Sequence, residues 1–302
     1  MRAILGGRLG AAAMTLTLSA CFAVVDVDRF HISQKVSSST SDASVPNQAG
    51  TYLDFKFSLV GMKPHLTQMF EYRIIDSSNF VQSRGVVNPL GAQDVVINVP
   101  HAIPTANGPF HLDFYADVDG SGGYNLGDGG TRSVISNDHS WRIDPLVDAP
   151  ASGVAVVDGL VQVTFTHNTS FTDINTYPSG TPNISRDTGL GAVIHVINAD
   201  ALHGVLLQVR VVEPVANRTV GLFRVPQVGP PLFDMIIPGV VENLSDYVVY
   251  AYADANGNGV YDNPAVGPDL GWRLTGTAGG GGLEVTLDAL TTSAAKYDVG
   301  AP

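Results

Sequence analysis

The stretch FYADVDGSGGYN at 114–125 recurs as AYADANGNGVYD at 251–262. Three further matches keep the same order along the chain. Downstream, Asp138-His139-Ser140-Trp141-Arg142 answers Asp269-Leu270-Gly271-Trp272-Arg273. Upstream, HLTQMFEYRIID (65–76) answers HGVLLQVRVVE (203–213) with one residue of slippage, and LDFKFSLV (53–60) lies opposite AVIHVINA (192–199). Four matches in one order mean that a unit of about 100–140 residues, a normal domain size, is present twice.

The unit is built of strands. Leu53, Phe55, Phe57 and Leu59 alternate with polar residues; so do Phe110, Leu112 and Phe114, then Val161, Val163 and Phe165, then Leu207, Val209 and Val211. A period of two with one apolar face is the pattern of half-buried antiparallel strands. The 33 glycines and 18 prolines punctuate these runs at short intervals, as in β-sandwiches. The expected fold is all-β: two tandem antiparallel β-sandwich domains of Ig-like or Greek-key type, arising from an internal duplication. The boundary is expected in the Pro- and Asp-rich IDPLVDAPASG (143–153), giving repeats at 49–148 and 149–302. Residues 21–48 are expected to form either a tether or a first strand, since Val24–Ile32 and Leu160–His167 both precede a Ser/Thr-rich stretch.

The N-terminus reads as a secretory signal spanning 1–20. Arg2 and Arg8 give a positive start, residues 9–20 are small or apolar, and no acid precedes Asp26. That run is too short for a membrane span. Leu18-Ser19-Ala20-Cys21 resembles the lipobox of bacterial lipoproteins, and Cys21 is the single cysteine of the chain. The resemblance implies cleavage before Cys21 and attachment of fatty acyl chains such as palmitate to it. Two or three chains hold a protein at a membrane where one does so only marginally. Phe22, standing where an Asp would resemble an inner-membrane retention signal, favours the outer membrane of the bacterial envelope.

Asp117, Asp119, Ser121, Asn125 and Asp128 place oxygen side chains at relative positions 1, 3, 5, 9 and 12, with Gly122 at position 6 and the Gly123 carbonyl at position 7. This is the spacing of an EF-hand-type calcium loop, which offers six to eight oxygens to one centre around a glycine hinge. The second copy supplies Asp254, Asn256, Asn258, the Val260 carbonyl and Asp262. Position 12 is Ala265, so Asp269 would have to reach in, and weaker binding is expected. Strand-flanked loops of this kind resemble the calcium loops of B-type repeats in Gram-positive surface adhesins. The resemblance covers about a dozen residues per copy and implies calcium as a structural brace, not a calmodulin-like switch. A metal-free Gly/Asn/Asp turn is the alternative.

Other constellations point less sharply. Trp141 and Trp272, each followed by Arg, suit either a ligand shelf or a sandwich core anchor. His65 with Met62 and Met69, and His139 beyond, admit a copper site in the first copy; His203 has no methionine beside it. Removing Arg2 and Arg8 leaves 14 basic residues of 16 against 28 acidic, a net charge of about −14, which argues against nucleic acid. The sequence thus points to a non-enzymatic envelope lipoprotein that binds or scaffolds an envelope protein or glycan. A copper or other metal-binding protein, and a hydrolase without a local motif, are the alternatives.

Overall fold

A computed structural model describes residues 52–106, 108–124, 138–147, 150–170, 174, 190–259, 261–262 and 267–291. The expected signal segment at 1–20, Cys21, residues 21–48, Asn125, Asp128 and Val260 lie outside the described residues. No helix among the described residues is long and apolar enough to cross a membrane.

The chain is all-β. Its first half runs β1 (Tyr52–Val60), β2 (Met69–Ile75), β3 (Val81–Val87), β4 (Val95–Pro104), β5 (His111–Asp117), β6 (His139–Ile143), β7 (Val154–Val157) and β8 (Leu160–Thr166). The second runs β9 (Ala192–Ile197), β10 (Leu206–Glu213), β11 (Arg218–Val225), β12 (Phe233–Ile237), β13 (Asp246–Asp254), β14 (Leu270–Thr277) and β15 (Leu283–Asp288). One strand order serves both. The order β3-β2-β5-β6 answers β11-β10-β13-β14, and β4-β1-β8 answers β12-β9-β15. Even the direction of pairing repeats, since β8 runs parallel to β1 and β15 parallel to β9.

Two features depart from the expected pair of separate antiparallel sandwiches. First, β11 pairs in parallel with β3, so the two four-stranded halves fuse into one eight-stranded sheet. At this seam both strands are buried along their whole length. Each small sheet covers a different face there: Val87 of β3 lies in the first core with Leu222 of β11, and Val86 and Phe223 lie in the second. Strands covered on both faces lose the alternation that marks a half-exposed strand, and RTVGLFRV reads accordingly.

Second, β7 and β8 lie in the sheet of the first half, although the expected boundary places residues 154–166 in the second repeat. Val161, Val163 and Phe165 fill the first core. Within the expected boundary, Leu146 is fully buried in the first core and its N–H bonds to the Phe110 carbonyl at 2.7 Å. In the second half β15 fills the place of β8.

The two cores differ in kind. The first is aromatic, with Phe55, Phe57, Phe70, Tyr72, Phe114 and Trp141 in mutual contact. The second is built on Val, Ile and Leu around Trp272. Each such side chain contributes about 1.5–3 kcal/mol when fully buried. Trp141 and Trp272 are therefore core anchors, and Arg142 lies in a two-bond pair with Asp113 at 2.6 and 2.8 Å.

Candidate metal centres

Both acidic loops spring from the last residue of a strand in the large sheet. Asp117 ends β5, Asp254 ends β13, and each is 4 % exposed. A buried carboxylate needs donors, and the loop turns back to supply them. Asp117 accepts the backbone N–H of Ser121 at 3.1 Å and of Gly122 at 2.8 Å, while Asp119 accepts Ser121 at 3.0 Å. Asp254 accepts Gly257 at 2.8 Å, Asn258 at 3.1 Å and Gly259 at 2.6 Å. Gly122 and Gly259 hold φ of 85° and 80°, a left-handed region where a Cβ is strained. The hinge glycine at position 6 is thus required in both copies.

A second buried aspartate closes each loop from the neighbouring strand. Asp138, just before β6, accepts the Val118 N–H at 3.0 Å. Asp269, just before β14, accepts Ala255 at 2.9 Å and Asp262 at 2.7 Å. Carboxylate oxygens of Asp117, Asp119 and Asp138 lie within 4.8 Å of one another. Sequence spacing named Asp269 and passed over Asp138, although the repeat aligns the two. Other predicted ligands turn inward: the Ser121 hydroxyl donates to the Gly123 carbonyl at 2.9 Å. In the second loop the side-chain amides of Asn256 and Asn258 donate to Asp262. Burial, opposed by its two N–H donors and assisted by Asp254 and Asp262, holds the Asp269 carboxyl above its usual range. Beside the first loop opens a cavity of about 340 Å³ lined by Gln68, Met69, Asn88, Asp117 and Asp119.

A different cluster sits at the same end of the first half. His65 closes the 3-10 turn Lys63–His65, His139 opens β6, and His167 follows β8, with its N–H on the Val60 carbonyl at 2.9 Å. Two contacts of His65 bring residues 74 and 102 positions away in sequence to one point. His65 Nε2 lies 3.1 Å from His139 Nδ1 and 3.2 Å from His167 Nε2. The rings stand over Trp141, whose centroid is 4.0 Å from that of His139 and 5.5 Å from that of His65. His65 is buried; His139 and His167 are partly exposed.

Two anchors set the tautomers. His65 Nδ1 lies 2.8 Å from Gln68 Oε1, an acceptor, so Nδ1 carries the proton and Nε2 presents a lone pair. His139 Nε2 lies 3.1 Å from the Ser170 carbonyl, so Nε2 carries the proton and Nδ1 presents a lone pair. Burial, partly offset by the Gln68 bond and reinforced by His139 and His167, lowers the pKa of His65. Burial, with His139, lowers that of His167.

Sequence reading reached His65 and His139 but supplied methionines where the fold supplies His167. Met62 is buried in the first core and Met69 packs on the second. His203 is exposed and is not the counterpart of His65. Met69 pairs with Asp117 and Leu206 with Asp254, and four residues before each stand His65 and Leu202. The one-residue slippage in the sequence match concealed this.

No family model matches the chain, and no curated protein matches it. Among solved structures, a shaft pilin of Lactobacillus rhamnosus GG is similar over 79 % of this chain and 98 % of its own, at 10 % identity and a TM-score of 0.18. At that score the likeness carries no argument about fold or role.

Proposed function

We propose that the chain is a lipid-anchored protein of the bacterial cell envelope, with a binding or scaffolding role rather than a catalytic one, whose fold is braced by calcium at two loops. One observation carries the reading. The buried pair Asp117 and Asp138 in one half, and Asp254 and Asp269 in the other, take their backbone donors from the same loop positions. Both pairs bridge the ends of adjacent strands, β5 to β6 and β13 to β14. Carboxylates held together at close range repel one another, and a hard divalent cation among them removes that repulsion while tying the strand ends. The lipid on Cys21 would supply the membrane address, and a protein or glycan of the envelope the partner.

Calcium binding to the folded form alone raises stability by about 2.7 kcal/mol at 100 times the dissociation constant. Melting of the full chain in millimolar calcium against chelator should therefore show a clear upward shift with calcium. Identical melting curves overturn the brace. Replacement Cys21→Ser should move the protein from the membrane fraction to the soluble one; unchanged sedimentation overturns the anchor.

A further inference from the structure

The geometry points to a second, chemically distinct metal site, in which His65, His139 and His167 bind one divalent late first-row transition ion, zinc or copper(II). The site needs no acidic ligand and is independent of the calcium reading.

The case rests on the spacing of the ring nitrogens. Gln68 holds the far nitrogen of His65, and the Ser170 carbonyl that of His139. His65 Nε2 and His139 Nδ1 thereby face each other at 3.1 Å, and His167 Nε2 lies 3.2 Å from His65 Nε2. The three rings offer ligand atoms within 4.8 Å of one another, so one ion can take a lone pair from each. A metal held by imidazole nitrogens at about 2.0–2.1 Å separates its ligand atoms by about 3.4 Å at tetrahedral angles and about 2.9 Å at right angles. The observed 3.1 and 3.2 Å fall between these limits.

Gln68 and the Ser170 carbonyl hold the far nitrogen of two ligands, as the outer partners of metal-bound imidazoles do. Neutral imidazoles are what a metal requires. Three nitrogens and no carboxylate suit zinc or copper and not calcium, which takes oxygen ligands. His139 and His167 are partly exposed, so a fourth position on the solvent side stays open to water or a small ligand.

The second half shows that the fold does not need the imidazoles. At the positions of His65, His139 and His167 it places Leu202, Leu270 and Ala289. Leu202 precedes Leu206 by the same four residues, Leu270 opposes Ala253 as His139 opposes Ala116, and Ala289 donates to Ile197 as His167 donates to Val60. The substitutions His65→Leu, His139→Leu and His167→Ala together therefore recreate packing that this architecture already uses.

The test is titration of the full chain, with millimolar calcium present to occupy the oxygen loops. Zinc is followed by competition with a chromophoric chelator, and copper(II) by quenching of Trp141, the indole under the cluster. The expected result is one equivalent bound with a dissociation constant below about 1 µM. His167→Ala, with its ring partly exposed, should keep the metal-free melting temperature and weaken binding by about 100-fold or more. Gln68→Ala should weaken it by about 10- to 100-fold. The triple variant should fold and lose the equivalent altogether, while Asp117→Asn should keep it. No saturable equivalent, or equal affinity in His167→Ala, overturns the site. Loss of binding in Asp117→Asn with retention in the triple variant overturns it in favour of the acidic loop.

Discussion

The same corner of the fold is polar in one half and oily in the other. Around Trp141 stand His65, His139 and His167; the matching places around Trp272 hold Leu202, Leu270 and Ala289, two of them nearly inaccessible. A few ångströms along the same strands, the paired aspartates are kept in both halves. A shared strand order therefore separates what the architecture demands from what one copy adds. The aspartates belong to the first class. The imidazoles belong to the second, and they are held at a cost, because burying polar rings forfeits hydration that aliphatic side chains never had.

The strongest way to break this contrast is to reverse it. Installing Leu202→His, Leu270→His and Ala289→His together should destabilise the metal-free protein by about 3–5 kcal/mol, through lost apolar burial and desolvated rings. Urea unfolding with and without zinc reads the effect. If the two corners are equivalent, zinc restores part of the loss. A variant as stable as the parent would show that the corner tolerates anything, and the imidazoles of the first half would lose their meaning.

A smaller effect sharpens the difference between the acidic loops. The first gathers Asp117, Asp119 and Asp138; the second replaces Asp119 by Asn256 and engages Asp262 with two amides. Affinity for calcium rises with ligand charge. Asp117→Ala should thus remove more of the calcium-dependent gain in melting temperature than Asp254→Ala. At one calcium level, a site at 100 times its dissociation constant contributes about 2.7 kcal/mol and one at ten times about 1.4 kcal/mol. Calorimetric melting of both variants across a calcium series checks the order, and equal losses would make the loops interchangeable.

Local pattern carried much of this into the sequence, and long-range pairing did not. The alternation around Phe55, Phe114, Val163 and Val209 marked β1, β5, β8 and β10: β1 and β8 bury one face, while β5 and β10 are buried on both and keep the pattern through polar residues with buried partners, as Asp113 has in Arg142. It could not say that β8 returns to β1 or that β3 meets β11, because parallel partners are set by tertiary packing and not by neighbours in the chain. Asp269 was found from loop spacing, and its twin Asp138 was within reach, since the DHSWR and DLGWR matches align them. His167 was not. A lone histidine after an alternating strand has no local signature, and its partners lie 28 and 102 residues away.

The smallest effect, acid sensitivity, probes the contrast without metal. His65 and His167 titrate below their ordinary value of 6.5, burial being the first cause in each. As pH falls past about 6.5 the unfolded chain takes up protons that the folded corner resists. The unfolded state then binds more protons, so stability present above that pH drains away until the folded values are passed. His111, also lowered by burial, provides a background loss that does not depend on this corner. Asp269, raised by burial, acts with the opposite sign. The triple variant His65→Leu, His139→Leu, His167→Ala keeps His111 and Asp269 but makes the first corner as inert as the second. Its metal-free urea midpoint should therefore fall less between pH 7.5 and 5.5 than that of the parent. A fall of the same size would mean that the imidazole corner carries no more proton linkage than its aliphatic twin.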